Sequence, residues 1–174
     1  RSLKYHKHMA IQSIRLFGDP VLVTPASEVV NFDKELRQLV ADLTQTMQAA
    51  PGAGLAAPQI GVPLRVFVWD INDEIGHLIN PSLDLSAEMQ DGEEGCLSFP
   101  LLGLHITRAQ LITVEYHDFT GTKREATFSG ISARCFQHEL DHMNGIVYTS
   151  KTKPMALQSG LQKRSKLMKK MKMK

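Results

Sequence analysis

The sequence predicts an α+β fold. Three observations carry this expectation: a helical hydrophobic pattern comes first, strand-like segments follow it, and helical patterns return only near the end, without the strand–helix alternation of a βαβ series. In "DKELRQLVADLTQTMQAAPG" the residues Leu36, Leu39, Val40, Leu43 and Met47 fall on one helical face, with Asp33 placed to cap it and Pro51-Gly52 to stop it. "LRVFVWDI" (64–71) and "HLINPSL" (77–83) read as strands, and "LITVEYHD" (111–118) with "KREATFS" (123–129) as a hairpin around a Gly-bearing turn. "DGEEGCLSFP" reads as a turn and "LLGLHIT" as a loop. A second helix begins at about Ile131 and closes at Asn144-Gly145, and a third runs from about Pro154.

No repeat or linker divides the 174 residues, so residues 9–174 are taken as a single domain. Residues 1–8, "RSLKYHKH", lack the apolar run of a secretory signal and are set aside as a natural extension, a presequence remnant or a vector remnant. No apolar stretch nears the roughly 20 residues of a membrane span, so the chain reads as soluble, with no membrane partner. Two cysteines, Cys96 and Cys135, are too few for a disulfide framework and suit a reducing compartment. The net charge of +2 hides an asymmetry: residues 151–174 hold nine Lys or Arg and no acid, which leaves 11 basic against 18 acidic side chains in the first 150. The basic tail at 160–174 is therefore either a solvated helix face or an arm for an acidic partner such as RNA.

The segment "CFQHELDHMNG" (135–145) carries the chemistry. His138 and His142 are four apart, so on a helix both imidazoles share one face and can share one metal, with Glu139 beside them as a possible base. The five-residue pattern alone also describes a pair of core or surface histidines. One metalloprotease class extends it as HExxHxxGxxH, and this chain follows that pattern as far as Gly145 before placing Tyr148 where a third His is required. No Asp, Glu, His or Cys follows His142, so a third ligand must come from upstream. Cys135 shares the helical face, but its Cα lies ~10.5 Å along the axis from that of His142, too far for metal bonds of ~2.0 to 2.3 Å to converge from one straight helix; it reads as buried packing. Cys96, presented from a Gly-bearing turn, completes a three-ligand set with a position left for water, the pattern of a catalytic metal site.

Three segments in order then resemble the peptide deformylases: "GAGLAAPQ" (52–59) is similar to their GxGxAAxQ motif, "EGCLS" (94–98) to their cysteine motif and "QHELDH" (137–142) to their QHExDH motif. "GDPVL" (18–22) and Asn80-Pro81 fit as well, so the resemblance spreads over most of the folded chain. It implies antiparallel sheets wrapped around a central metal-binding helix, with an N-terminal and a C-terminal helix. It implies removal of the formyl group from the initiator methionine of nascent peptides, with release of formate. By this resemblance Cys96, His138 and His142 hold one divalent ion, natively Fe(II) and replaceable by nickel, cobalt or zinc. Glu139 takes a proton from water and delivers it to the leaving amine, while the Gln59 side chain and the Leu97 backbone N–H form an oxyanion hole. Ala53, Gly54 and Gly95 pair with an extended peptide; Gly52, Glu94, Arg108 and Asp141 take supporting roles. Read alone, Gln59 would be a surface loop amide, and Glu94 and Arg108 ordinary surface charges.

Departures from the family pattern are Pro58 before Gln59, Phe99 where an aliphatic is usual, and the lack of a cation in "LLGLHIT" before Arg108. They bear on preference beyond the methionine side chain and leave the catalytic set intact. A metallopeptidase or amidase of another HExxH class would leave the cysteine and Gln59 motifs without a use, and a non-enzymatic RNA or ribosome binder would leave Glu139 without one. The implied partners are nascent N-formyl-Met peptides and, through the basic tail, the ribosome. The implied compartment is the bacterial cytosol, with an organelle or a phage-encoded enzyme as alternatives.

Overall fold

In the computed structural model, which describes residues 11–172, helix α1 (Lys34–Ala49) starts where a side chain can begin it. Asp33 lies in extended backbone and its Oδ1 accepts the Leu36 N–H at 3.1 Å. Leu36, Leu39, Val40, Leu43 and Met47, the face expected from the spacing, are buried in one apolar cluster with Val66, Val68 and Ile79.

Strand β1 (Gly54–Ala56) escaped the sequence reading, being three residues long and glycine-flanked. It pairs with β2 (Val66–Ile71), which turns through Asn72 and Asp73, both at positive φ, into β3 (Glu74–Leu85). Two successive left-handed residues make the turn whose twist matches a strand pair, which explains the Asn-Asp choice. A register shift falls between Ile79 and Ser82, where Asn80, at φ 50°, turns its side chain out to exchange two hydrogen bonds with the backbone of Val29.

The stretch expected to be a turn and a loop is instead a long hairpin, β4 (Met89–Cys96) and β5 (Phe99–Ala109). Cys96 ends β4 opposite Phe99, so Leu97 and Ser98 alone form the turn. In β5 the side chains of Leu102, Leu104, Ile106 and Arg108 alternate inward; the first three form a small core of their own with Tyr148. Strands β6 (Leu111–His117) and β7 (Lys123–Ser129) form the predicted hairpin and complete an antiparallel sheet in the order β1-β2-β3-β6-β7, while β4 and β5 form a separate two-stranded sheet.

Helix α2 (Gly130–Met143) runs between these sheets. Phe136 anchors it in an aromatic cluster, with ring centroids 5.2 Å from Phe67, 5.5 Å from Trp69 and 4.7 Å from Phe128. Gln137 locks it to β5: its Oε1 accepts the Ala109 N–H and its Nε2 donates to Ala109 O, both at 3.0 Å. The helix ends at Gly145, whose φ of 73° and position against the Val23 backbone leave no room for a side chain. Helix α3 (Pro154–Lys172) has no fully buried residue. It lies along β5 through Leu157 and Gly160, and Arg164 donates to Pro100 O at 2.7 Å while its guanidinium sits 4.7 Å from the Phe99 ring centroid. Among the described residues no helix is long and apolar enough to cross a membrane. The extension at residues 1–8 and the last two residues of the basic tail lie outside the described residues.

Two glycines make opposite predictions. A Cβ at Gly145 would lie 2.9 Å from the Val23 carbonyl group in a left-handed backbone, so Gly145→Ala should lower unfolding free energy by about 2 kcal/mol or more. At Gly95 a Cβ meets nothing within 4 Å, and Gly95→Ala should stay within about 0.5 kcal/mol of wild type in the same urea titration.

Candidate active site

Helix α2 supplies two imidazoles one turn apart, and both are buried because the helix passes between the sheets. Their Nε2 atoms face each other at 3.2 Å. The hairpin turn brings Cys96 Sγ to 3.3 Å from His142 Nε2, and the ligand-type atoms of Cys96, His138 and His142 all lie within 4.8 Å of one another. Bonds of ~2.0 Å to nitrogen and ~2.3 Å to sulfur at tetrahedral angles would place such atoms roughly 3.3 to 3.6 Å apart, so the spacing fits a single ion. Cys135 stands outside this group. It packs partly against the aromatic cluster and its thiol also lines the cleft, 3.7 Å from Ala53 O, with burial and then the Glu139 and Glu94 carboxylates pushing its pKa well up.

Glu94 and Arg108 are not surface charges. Both are buried, and the Arg108 fork grips Glu94 through Nε to Oε2 at 2.8 Å and Nη2 to Oε1 at 2.9 Å, while Nη1 donates to Asp141 Oδ2 at 2.7 Å. Arg134 adds a further bond to Glu94 Oε2 at 2.7 Å. The remaining position on Oε1 takes His138 Nδ1 at 2.9 Å, which turns Nε2 toward Cys96 and His142. Burial alone would raise the Glu94 pKa, but the bonds from Arg108 and His138 hold it at about 2. His138 is pulled the other way: burial resists its charge, yet Cys96, Glu94 and the nearby Glu139 carboxylate hold its pKa up to about 10. His142, desolvated and facing the positive charge of His138 and Arg108, is pushed well below the usual histidine range.

Glu139 is buried beside this triangle. Burial raises its pKa to about 7 against the attraction of His138, and its Oε2 has no partner among the described residues. Gly54 makes room for it, since a Cβ there would lie 2.8 Å from both Glu139 Oε1 and Cys135 Sγ. Gly52 likewise accommodates Leu97, whose Cδ1 would be 2.7 Å from an added Cβ. Gln59 is buried rather than a surface amide: the Ala56 N–H holds its Oε1 at 2.9 Å, and its Nε2 donates to Ser98 Oγ at 3.0 Å and points at Cys96 Sγ, 3.8 Å away. These groups line a cleft of about 700 Å³ into which Ala53, Gly95, Leu97, Leu101 and Ile131 also open.

Three residues at the site were missed by sequence reasoning. Arg134 precedes His138 by one helical turn, a spacing that placed it on the same face from the start. Ser98, inside "EGCLS", fixes the Gln59 amide. Tyr148, which excluded one protease class, packs its ring 5.6 Å from His138 and donates its hydroxyl to Leu102 O of the hairpin.

The depressed Glu94 pKa fixes the sign of an acid effect. A carboxylate held at about 2 when folded, against 4.5 ordinarily, stabilises the fold above pH 4.5 and ceases to do so as pH falls toward 2. The contribution is on the order of 3 kcal/mol. Urea titrations from pH 6 to 2 should show this loss in the metal-free protein, and Glu94→Gln should be weaker at neutral pH with a flatter acid limb.

A sequence profile of the polypeptide deformylase family matches residues 11–158. Peptide deformylase from Acidothermus cellulolyticus is 55% identical over 146 residues, covering 84% of this chain and 81% of its own. The crystal structure of peptide deformylase from Thermotoga maritima superposes with a TM-score of 0.81 at 40% identity, covering 83% of this chain and 99% of its own. That of Synechococcus elongatus peptide deformylase in complex with actinonin gives a TM-score of 0.85 at 35% identity, covering 95% and 92%. The profile and these identities extend across α2, both sheets and the cleft between them, and on that ground the chain belongs to the polypeptide deformylase family.

Proposed function

We propose that this deformylase removes the formyl group from the initiator methionine of nascent chains with Cys96, His138 and His142 holding one divalent ion, natively Fe(II), and with Glu139, Gln59 and the Leu97 N–H acting on the substrate. The observation that carries this assignment is the convergence of Sγ and two Nε2 atoms beside a buried carboxylate with an unpartnered oxygen. An ion held by Cys96, His138 and His142 would, when bound, lower the pKa of a water and polarise the formyl carbonyl.

This chain's own groups do the rest. With a pKa near neutrality, Glu139 can accept the water proton at Oε2 and return it to the leaving amine. The Gln59 amide, held from behind by Ala56 and Ser98, aims its NH₂ at the region of Cys96 where negative charge develops on the formyl oxygen, and the Leu97 N–H lies in the same turn. β1 ends one sheet and β4 is a strand of the other, so both offer free edges to the cleft; an extended peptide can pair with Ala53, Gly54 and Gly95 between them. Gly95 has open space on its Cβ side for this approach.

The basic tail is assigned to ribosomal RNA, supported by nine cations without an acid from residue 151 onward. A bacterial cytosolic setting and a single domain over residues 9–174 accord with this role.

Iron- or nickel-loaded enzyme kept anaerobic should release formate from formyl-Met peptides and leave acetyl-Met peptides intact; cleavage of the acetylated or unblocked controls would favour a general metallopeptidase or amidase. Cys96→Ala should lose its metal while Cys135→Ala keeps it, as read by elemental analysis. Glu139→Ala should retain metal and lose roughly 10² to 10⁴ in rate, and Gln59→Leu roughly 10² to 10³. Charge reversal at Lys169, Lys170 and Lys172, exposed and beyond the Arg164 contact, should weaken co-sedimentation with ribosomes in a salt-dependent way and leave hydrolysis of short peptides unchanged. Unaltered sedimentation would remove the tail from the account.

A further inference from the structure

Arg134 lies in none of the three motif segments, yet its guanidinium joins three elements, helix α2 and the two strands β4 and β5. It stands on α2 one turn before His138. Its Nη1 donates to Glu94 Oε2 at 2.7 Å and to Ile106 O of β5 at 2.8 Å, and its Nη2 to Gln90 O of β4 at 3.3 Å. Opposite it is Gly92, where a Cβ would lie 3.1 to 3.2 Å from the guanidinium atoms, tighter than ordinary contact. We infer that Arg134 is a positioning residue for the reaction: it takes the last acceptor site of Glu94 while gripping both strands of the hairpin, and so fixes the carboxylate that orients His138 toward Cys96.

An ionised carboxylate has about four lone-pair sites. At Glu94 Arg108 fills one on each oxygen, His138 takes the second on Oε1 and Arg134 the second on Oε2. Arg108 cannot do the whole task. Its link to α2 goes through Asp141, in the half of the helix beyond His138, whereas Arg134 ties the half before it. With both in place the hairpin is held to the helix on either side of the histidine, and the distance between the Cys96 turn and the two rings is set. A lysine could reach one of the three acceptors as a point charge, not all three as a fork.

The inference rests on the metal assignment above. Arg134→Met should lose its metal to a competing chelator roughly 10- to 100-fold faster than wild type and lose kcat by a similar factor, with KM for a formyl-Met tripeptide within about twofold. Arg134→Lys should recover part of both. Gly92→Ala, which keeps every charge and displaces the guanidinium by a few tenths of an ångström, should speed metal loss by roughly twofold or more, and decides the matter if Arg134→Met does not fold. Metal retention and kcat equal to wild type in Arg134→Met or Gly92→Ala would overturn the inference, as would a rise in KM alone, which would make Arg134 only a wall of the cleft. A wild-type protein that neither holds metal nor releases formate would fail the assigned reaction and this inference together.

Discussion

Glu94 reaches the interior on β4, a strand whose sequence has almost nothing apolar to bury, and its carboxylate stays ionised there because two guanidinium groups and an imidazole occupy its acceptor positions. Desolvating a lone carboxylate is prohibitive; desolvating one whose every lone pair has a donor is not. Other features follow from that group. It sets the ring orientation of His138, holds the hairpin at a fixed height over α2, and leaves the turn at Leu97-Ser98 short and constrained. A stripe of polar residues along the inner face of α2 becomes tolerable because each has a designated partner across the gap, Gln137 at Ala109, Asp141 at Arg108 and His138 at Glu94.

The apolar scaffold divides the remaining work. One cluster under α1 stiffens the edge of the large sheet, where β1 and the Gln59 turn sit, and the aromatic group around Phe136 fixes the depth of α2. The third, with Tyr148, supports the far side of the hairpin. The groups that line the cleft therefore come from three packed pieces of structure and not from one loop, and the cleft between them is the space left by the sheets failing to join.

How far the sequence announced this depends on which force shapes each segment. α1, β2, the β6–β7 hairpin and α2 were legible because apolar residues recur there with the period of the structure. The β4–β5 hairpin was not: "MQDGEEGC" pairs as a strand while facing ion pairs, so its alternation is of charge and glycine and reads as a turn. The histidine pair and Cys96 stood out by spacing and elimination, which needs no tertiary information. The partners that hold them did not. Nothing in the local sequence distinguishes a Glu94 buried under two arginines from one in solvent, and Arg134 gains its meaning only when the strands of the hairpin arrive above it.

The cationic contact of α3 with the hairpin, Arg164 on Pro100 and Phe99, sits at the rim of the cleft through Pro100. Beyond it the helix continues to Lys172 over eight more residues or ~12 Å, exposed except at the half-buried Met168. The exposed residues of that stretch are therefore carried at a set stand-off from the mouth of the cleft, as a rigid spacer keeps a tool at working distance. Inserting or deleting one residue after Arg164 would change that stand-off by only ~1.5 Å but would rotate the residues beyond it by ~100°, so bearing, more than reach, is what the spacing sets.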